Sequence, residues 1–113
     1  MLRWELGLRN PEDLNISKLG AKSFILGRNN FTDYFAEKFA LSLKGDEYIR
    51  FVDLKKNNIT VEGMKYFAEA AVTHPGLTSI DLRFNPCMKS KESKKLRKIM
   101  AEAFFSNIKD GIA

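Results

Sequence analysis

The sequence predicts an α/β fold: a solenoid of about three stacked strand-helix units, with a short parallel sheet, outer helices and a C-terminal capping helix. Three observations carry that expectation. An apolar pattern closed by an asparagine recurs every 28 residues, at Asn29, Asn57 and Asn85. Amphipathic stripes of helical spacing lie between its copies. Both ends of the chain depart from the pattern, as the terminal units of a repeat array do.

The clearest copy runs Ile49-Arg50-Phe51-Val52-Asp53-Leu54-Lys55-Lys56-Asn57-Asn58-Ile59 and fits L-x-x-L-x-L-x-x-N-x-L, with an apolar group at each marked apolar position. Leu77, Ile80, Leu82, Asn85 and Cys87 repeat it downstream, and Ala21, Phe24, Leu26, Asn29 and Phe31 repeat it more weakly upstream. A period of 28 lies at the long end of the leucine-rich range of about 20 to 29 residues, where each unit has room for a strand and a full helix.

Taken in order, residues 1–18 form an N-terminal covering segment. Trp4, Leu6, Leu8, Leu14 and Ile16 flank an Asn10-Pro11 break, and Pro11 interrupts any continuous helix. Trp4 to Leu8 is expected as a short helix or strand over the first repeat. Without such cover, the strand around Phe24 has an open edge and self-association through it is expected. The repeats span 19–46, 47–74 and 75–88. In the first, Phe35, Ala36, Phe39, Ala40 and Leu43 make a helical stripe; in the second, Gly63, Met64, Phe67, Ala68 and Ala71 make its counterpart. Thr32 and Thr60 precede these helices as expected N-caps. Residues 89–113 form the helical cap, with a helix over about 91–107 whose stripe is Leu96, Ile99, Met100, Ala103 and Phe104. Within each bend the asparagine is expected to turn inward and satisfy backbone groups, so that Asn29, Asn57 and Asn85 form a buried ladder.

Composition narrows function. Nineteen Lys and Arg against 14 Asp and Glu give a net charge of +5. Much of the excess is one run, Lys89, Lys91, Lys94, Lys95, Arg97 and Lys98, which reads as the wet face of the last helix, so nucleic acid is discounted as a partner. One cysteine, Cys87, forms no internal disulfide and makes the cytosol the default. No window reaches the roughly 18 apolar residues of a membrane span.

Enzyme chemistry finds little support. The single His74 precedes Pro75-Gly76 and has no second histidine to work with. Cys87 occupies a core position, and no phosphate-cradling glycine loop is present. No cofactor, metal or small-molecule substrate is called for. Asp53 and Asp81 stand at equivalent strand positions about 5 Å apart on neighbouring strands. Lys55 and Arg83 follow two residues on, which predicts a solvated ladder of ion pairs. Ser23, Ile25, Gly27, Phe51, Asp53, Lys55, Ser79, Asp81 and Arg83 are therefore expected on one open face, with Arg28, Arg50 and Lys56 along its edge and Phe51 as the anchor. Arg28, Arg50, Phe51, Asp53, Lys55, Asp81 and Arg83 are the candidate partner-binding residues.

Beyond the repeat positions, the order Trp4, Leu8-Arg9, Pro11, Asp13-Leu14, Phe39-Ala40, Leu43, Arg50, Asp53-Leu54, Ile59-Thr60, Glu62-Gly63, Ile80-Asp81-Leu82-Arg83 and Asn85-Pro86 resembles the carboxy-terminal repeats of the seventy-eight-kilodalton centrosomal protein family. The segment from Trp4 to Leu14 is its most specific part, because no repeat rule requires those residues there. The resemblance implies a ribonuclease-inhibitor-like leucine-rich repeat fold and a scaffold at centrioles or ciliary basal bodies, with protein partners and no catalysis. The alternative is a regulator that binds a GTPase or another enzyme through the same face.

Overall fold

The computed structural model describes residues 2–3, 22–44 and 46–112. The expected roles of Trp4, Leu6, Leu8, Pro11, Leu14, Ile16 and Ala21 lie outside these residues. Four short strands, β1 (Leu2–Arg3), β2 (Ser23–Ile25), β3 (Phe51–Asp53) and β4 (Ser79–Asp81), form one parallel sheet in chain order. Parallel neighbours need crossover connections. Helices α1 (Asp33–Ser42) and α2 (Val61–Thr73) provide them, and α3 (Ser93–Ile112) follows β4 after a 3-10 turn at Pro86–Lys89. The register carries the sequence period: Ser23, Phe51 and Ser79 align, then Phe24, Val52 and Ile80, then Ile25, Asp53 and Asp81. Since β1 pairs with β2, the edge expected to self-associate when uncovered is occupied.

The expected leucine-rich repeat solenoid of the ribonuclease-inhibitor-like type is corrected by the shape of the molecule. The chain is a small compact body of three helices on a parallel sheet, measuring 35 × 34 × 18 Å. Its Cα radius of gyration is 13.1 Å, against about 13 Å for any compact chain of this length. The reason is one of scale. At about 4.8 Å per strand, β2 to β4 advance by only about 10 Å, whereas a helix as long as α3 extends about 30 Å. Helix length sets the dimensions, so no superhelical axis develops.

Phe24, Val52 and Ile80 point into the core beneath the helices, where phenylalanines from three elements meet. Phe39 lies 5.9 Å from Phe24 edge-on, 5.4 Å from Phe35 and 6.3 Å from Phe67, and Phe31 stacks on Phe35 at 3.9 Å. Aromatic pairs of this geometry add about 0.5–1.5 kcal/mol each beyond their buried area. On α3, Met100 is buried and Leu96, Ile99, Ala103 and Phe104 pack against the core, while Lys94, Lys95, Arg97 and Lys98 are exposed. The helix starts at Ser93 rather than Lys91 because a separate turn spans residues 90–93, with Ser90 O accepting from the amide and hydroxyl of Ser93. Asn107 Nδ2 anchors its far end, 2.6 Å from Leu77 O and 3.0 Å from His74 O.

Two expectations about polar residues divide. Asn57 is buried: its Oδ1 accepts from the amides of Asn29 and Phe31, and its Nδ2 donates to Leu26 O and Leu54 O. Asn85 repeats the arrangement with Ile59 N, Leu54 O and Leu82 O. Asn29 does not join the ladder; it is exposed, and its Nδ2 donates to Gly27 O within its own turn. Thr60 caps α2 by accepting from Glu62 N, whereas Thr32 makes no side-chain cap. Instead Asp33 reaches across from α1, its carboxylate accepting from both the amide and the hydroxyl of Thr60.

Candidate functional site

Alternation along a strand puts odd-numbered residues of β2 to β4 on the face away from the helices. Phe51, Asp53, Ser79 and Asp81 are all half-buried there, as are Ser23 and Ile25. Asp53 and Asp81 are register partners. Each carboxylate is held by its own turn. Asp53 Oδ1 accepts from Lys55 N at 3.0 Å, and Lys55 Nζ stands 3.6 Å from Oδ2. Asp81 receives the Arg83 guanidinium in a fork, Nε at 3.0 Å from Oδ1 and Nη2 at 2.8 Å from Oδ2, besides the Arg83 amide at 3.1 Å. Those bonds from Arg83 hold the Asp81 carboxyl below the ordinary carboxylate range, and the same pairing raises Arg83. Two acid-base pairs side by side neutralise one another, so the face offers fixed dipoles and donors rather than a poised general acid.

The sequence-derived residues separate into two places. Phe51, Asp53, Lys55, Asp81 and Arg83 gather on the sheet face, and Arg28 stands in the turn after β2. Arg50 instead lies at the opposite end of β3, where its Nη1 donates to Glu47 O and Ile49 O and packs over Gly76.

Phe84 was not singled out from sequence. It follows Lys56 by one period, as Lys56 follows Arg28, and all three adopt left-handed backbone with φ of 60°, 57° and 65° at Arg28, Lys56 and Phe84. A non-glycine residue there costs about 1–2 kcal/mol. Phe84 is 69% exposed, with Lys56 Nζ 5.6 Å from its ring centroid. Position in the period was the available signal, but an aromatic in a turn is not marked as exposed by any rule of spacing.

A second constellation also escaped the sequence reading. His74 and Asp46, again 28 residues apart, are both buried and meet at 3.0 Å between Nε2 and Oδ2. Gly76 N donates to His74 Nδ1, so the remaining ring nitrogen, Nε2, carries the proton toward the carboxylate. Asp46 Oδ2 also accepts from the amides of Tyr48 and Ile49. With both ring nitrogens engaged and no exposed edge, the pair joins the loop after α1 to the loop after α2. Cys87 is fully buried in the core, and burial pushes its thiol up to about 11. Among the described residues no group of three His, Cys, Asp or Glu could hold a metal ion, and no helix is long and apolar enough to cross a membrane. No family model matches this chain, and no curated protein matches it.

Proposed function

We propose that the chain is a non-enzymatic protein-binding module that engages a protein partner through the outer face of β2 to β4, at centrioles or ciliary basal bodies in the cytoplasm. One observation carries the binding reading. The parallel register gathers Phe51, Asp53, Lys55, Asp81 and Arg83 from two distant segments onto one face, and the charges are already oriented by their own turns. An aromatic group beside preorganised polar groups is the arrangement that concentrates binding energy in interfaces. The centriolar part rests on the likeness of Trp4 to Leu14 and of Ile80-Asp81-Leu82-Arg83 with Asn85-Pro86 to the centrosomal family.

Imaging a tagged copy against a centriole marker in a ciliated cell tests both parts. Sharp foci are expected for the parent chain. Phe51→Ala together with Lys55→Glu should disperse them, while Lys98→Glu on the exposed side of α3 should leave them unchanged. A diffuse parent signal would overturn the centriolar reading, and foci that survive the double change would overturn the sheet face as the binding surface.

A further inference from the structure

A groove of about 340 Å³ opens between β4 and α3, sharing with the sheet face only the β4 rim at Ser79, Asp81 and Arg83. β4 is the last strand of the sheet among the described residues, and α3 packs chiefly on α2, leaving the outer edge of β4 facing the groove. The direction of the backbone follows from the ladder. Leu54 N donates to Asp81 O at 2.8 Å and Lys56 N to Arg83 O at 3.1 Å, so the odd-numbered residues of this segment turn their carbonyls toward β3. In a parallel ladder alternate residues bond to opposite sides. Ile80 therefore turns its amide and carbonyl outward, into the groove. Leu82 O, on the same side, already accepts from Asn85 Nδ2.

The floor is apolar, with Met64 and Met100 buried and Met88 and Phe104 half-buried. Two exposed arginines line it, Arg83 from the turn after β4 and Arg97 from α3. Arg83 is neutralised by Asp81, but among the described residues no carboxylate pairs with Arg97. An unpaired edge amide and carbonyl, an adaptable methionine floor and one uncompensated guanidinium together specify an occupant.

We infer that the groove between β4 and α3 binds an extended segment of a partner protein that carries an apolar and an acidic residue two positions apart, both on the face turned toward α3. The segment adds to the sheet as a further strand: Ile80 donates its N–H and accepts at its C=O, an apolar side chain rests on Met88 and Phe104, and a carboxylate reaches Arg97. This site lies on the helix side of β4, meets the sheet face only at the β4 rim, and does not rest on the function proposed for that face.

A fluorescently labelled peptide with valine and glutamate two residues apart between threonines, titrated with the full chain and read by anisotropy, tests it. Arg97→Glu should weaken binding about tenfold or more. Ala101→Trp, which fills the groove from an exposed position, should abolish it, with the amide spectrum of each variant establishing that the fold persists. Phe51→Ala and Lys55→Glu should leave binding intact, which separates this site from the sheet face. The amide of Ile80 should gain hydrogen-exchange protection when the peptide is bound. Absence of binding, equal losses in Arg97→Glu and Lys98→Glu, or an unprotected Ile80 amide would each overturn the inference. A concentration-dependent dimer removed by Ala101→Trp would overturn it too, by making a second copy the occupant.

Discussion

Asn57 shows how much one side chain can hold when the backbone around it bends away from regular pairing. Its amide joins Leu26 O and Leu54 O, and its oxygen takes the amides of Asn29 and Phe31, so it links the turn after β2 to the turn after β3. Asn57→Ala leaves these buried groups unpaired at about 1–3 kcal/mol each before relaxation and water entry. A loss of about 3 kcal/mol or more is expected, against under about 1 kcal/mol for Asn29→Ala, whose side chain is exposed. Urea midpoints compared at constant slope check the pair, and equal losses would contradict the assigned geometry. Cys87 supplies a pH-dependent counterpart. Its thiol titrates near 11 in the folded chain against 9.0 ordinarily. A raised value means the stabilisation is complete below about 9 and is lost as pH rises toward 11. At pH 8 the native thiol should therefore react with a disulfide reagent far more slowly than the unfolded chain does, and equal rates would place the sulfur at the surface.

Among the elements, α1 and α2 approach closely enough that glycine is required at one point of contact. A Cβ at Gly63 would strike the Asp33 carboxylate and lie 2.8 Å from Ile59 Cγ2. In an isolated helix, replacing glycine with alanine gains about 1 kcal/mol. Here Gly63→Ala should lose at least about that much, since Asp33 must leave the amide and hydroxyl of Thr60 to make room. Adding Gly63→Ala to an Asp33→Ala background should cost less than adding it to the parent, a coupling that a thermal double-mutant cycle measures. The helices themselves were legible, because the stripes at Phe35, Phe39, Met64 and Phe67 are all buried as spaced. Their start signals were legible only in part. Thr32 and Thr60 are alike in sequence, and the difference between them lies in Asp33, which belongs to the neighbouring helix.

For the whole molecule, Asn57 and Asn85 each bond across two successive units, and Asn107 ties α3 back to the loop after α2. That coupling predicts one cooperative unfolding transition rather than separate loss of each unit. Amide exchange should be slowest at Val52 in β3 and at Leu54 just after it, and fastest toward the end of α3, where Lys109 and Asp110 are exposed. A unit comprising β4 and α3 that opens well before the rest would show that the clamp at Asn85 is weaker than its bonds imply.

What the sequence determined by itself was local and periodic: the strands at Phe24, Val52 and Ile80, the faces of α1, α2 and α3, the burial of Cys87 and the sheet-face grouping of Phe51, Asp53, Lys55, Asp81 and Arg83. These follow from side-chain alternation and helical spacing, which are properties of neighbouring residues. Tertiary structure alone decided the compact body in place of the expected solenoid, because the few strands advance less than one helix length. It also decided the exposure of Asn29 and Phe84, the displacement of Arg50 to the other end of β3, and the Asp46–His74 and Asn107 clamps. The groove beside β4 belongs with these, since it depends on where α3 comes to rest across the end of the sheet.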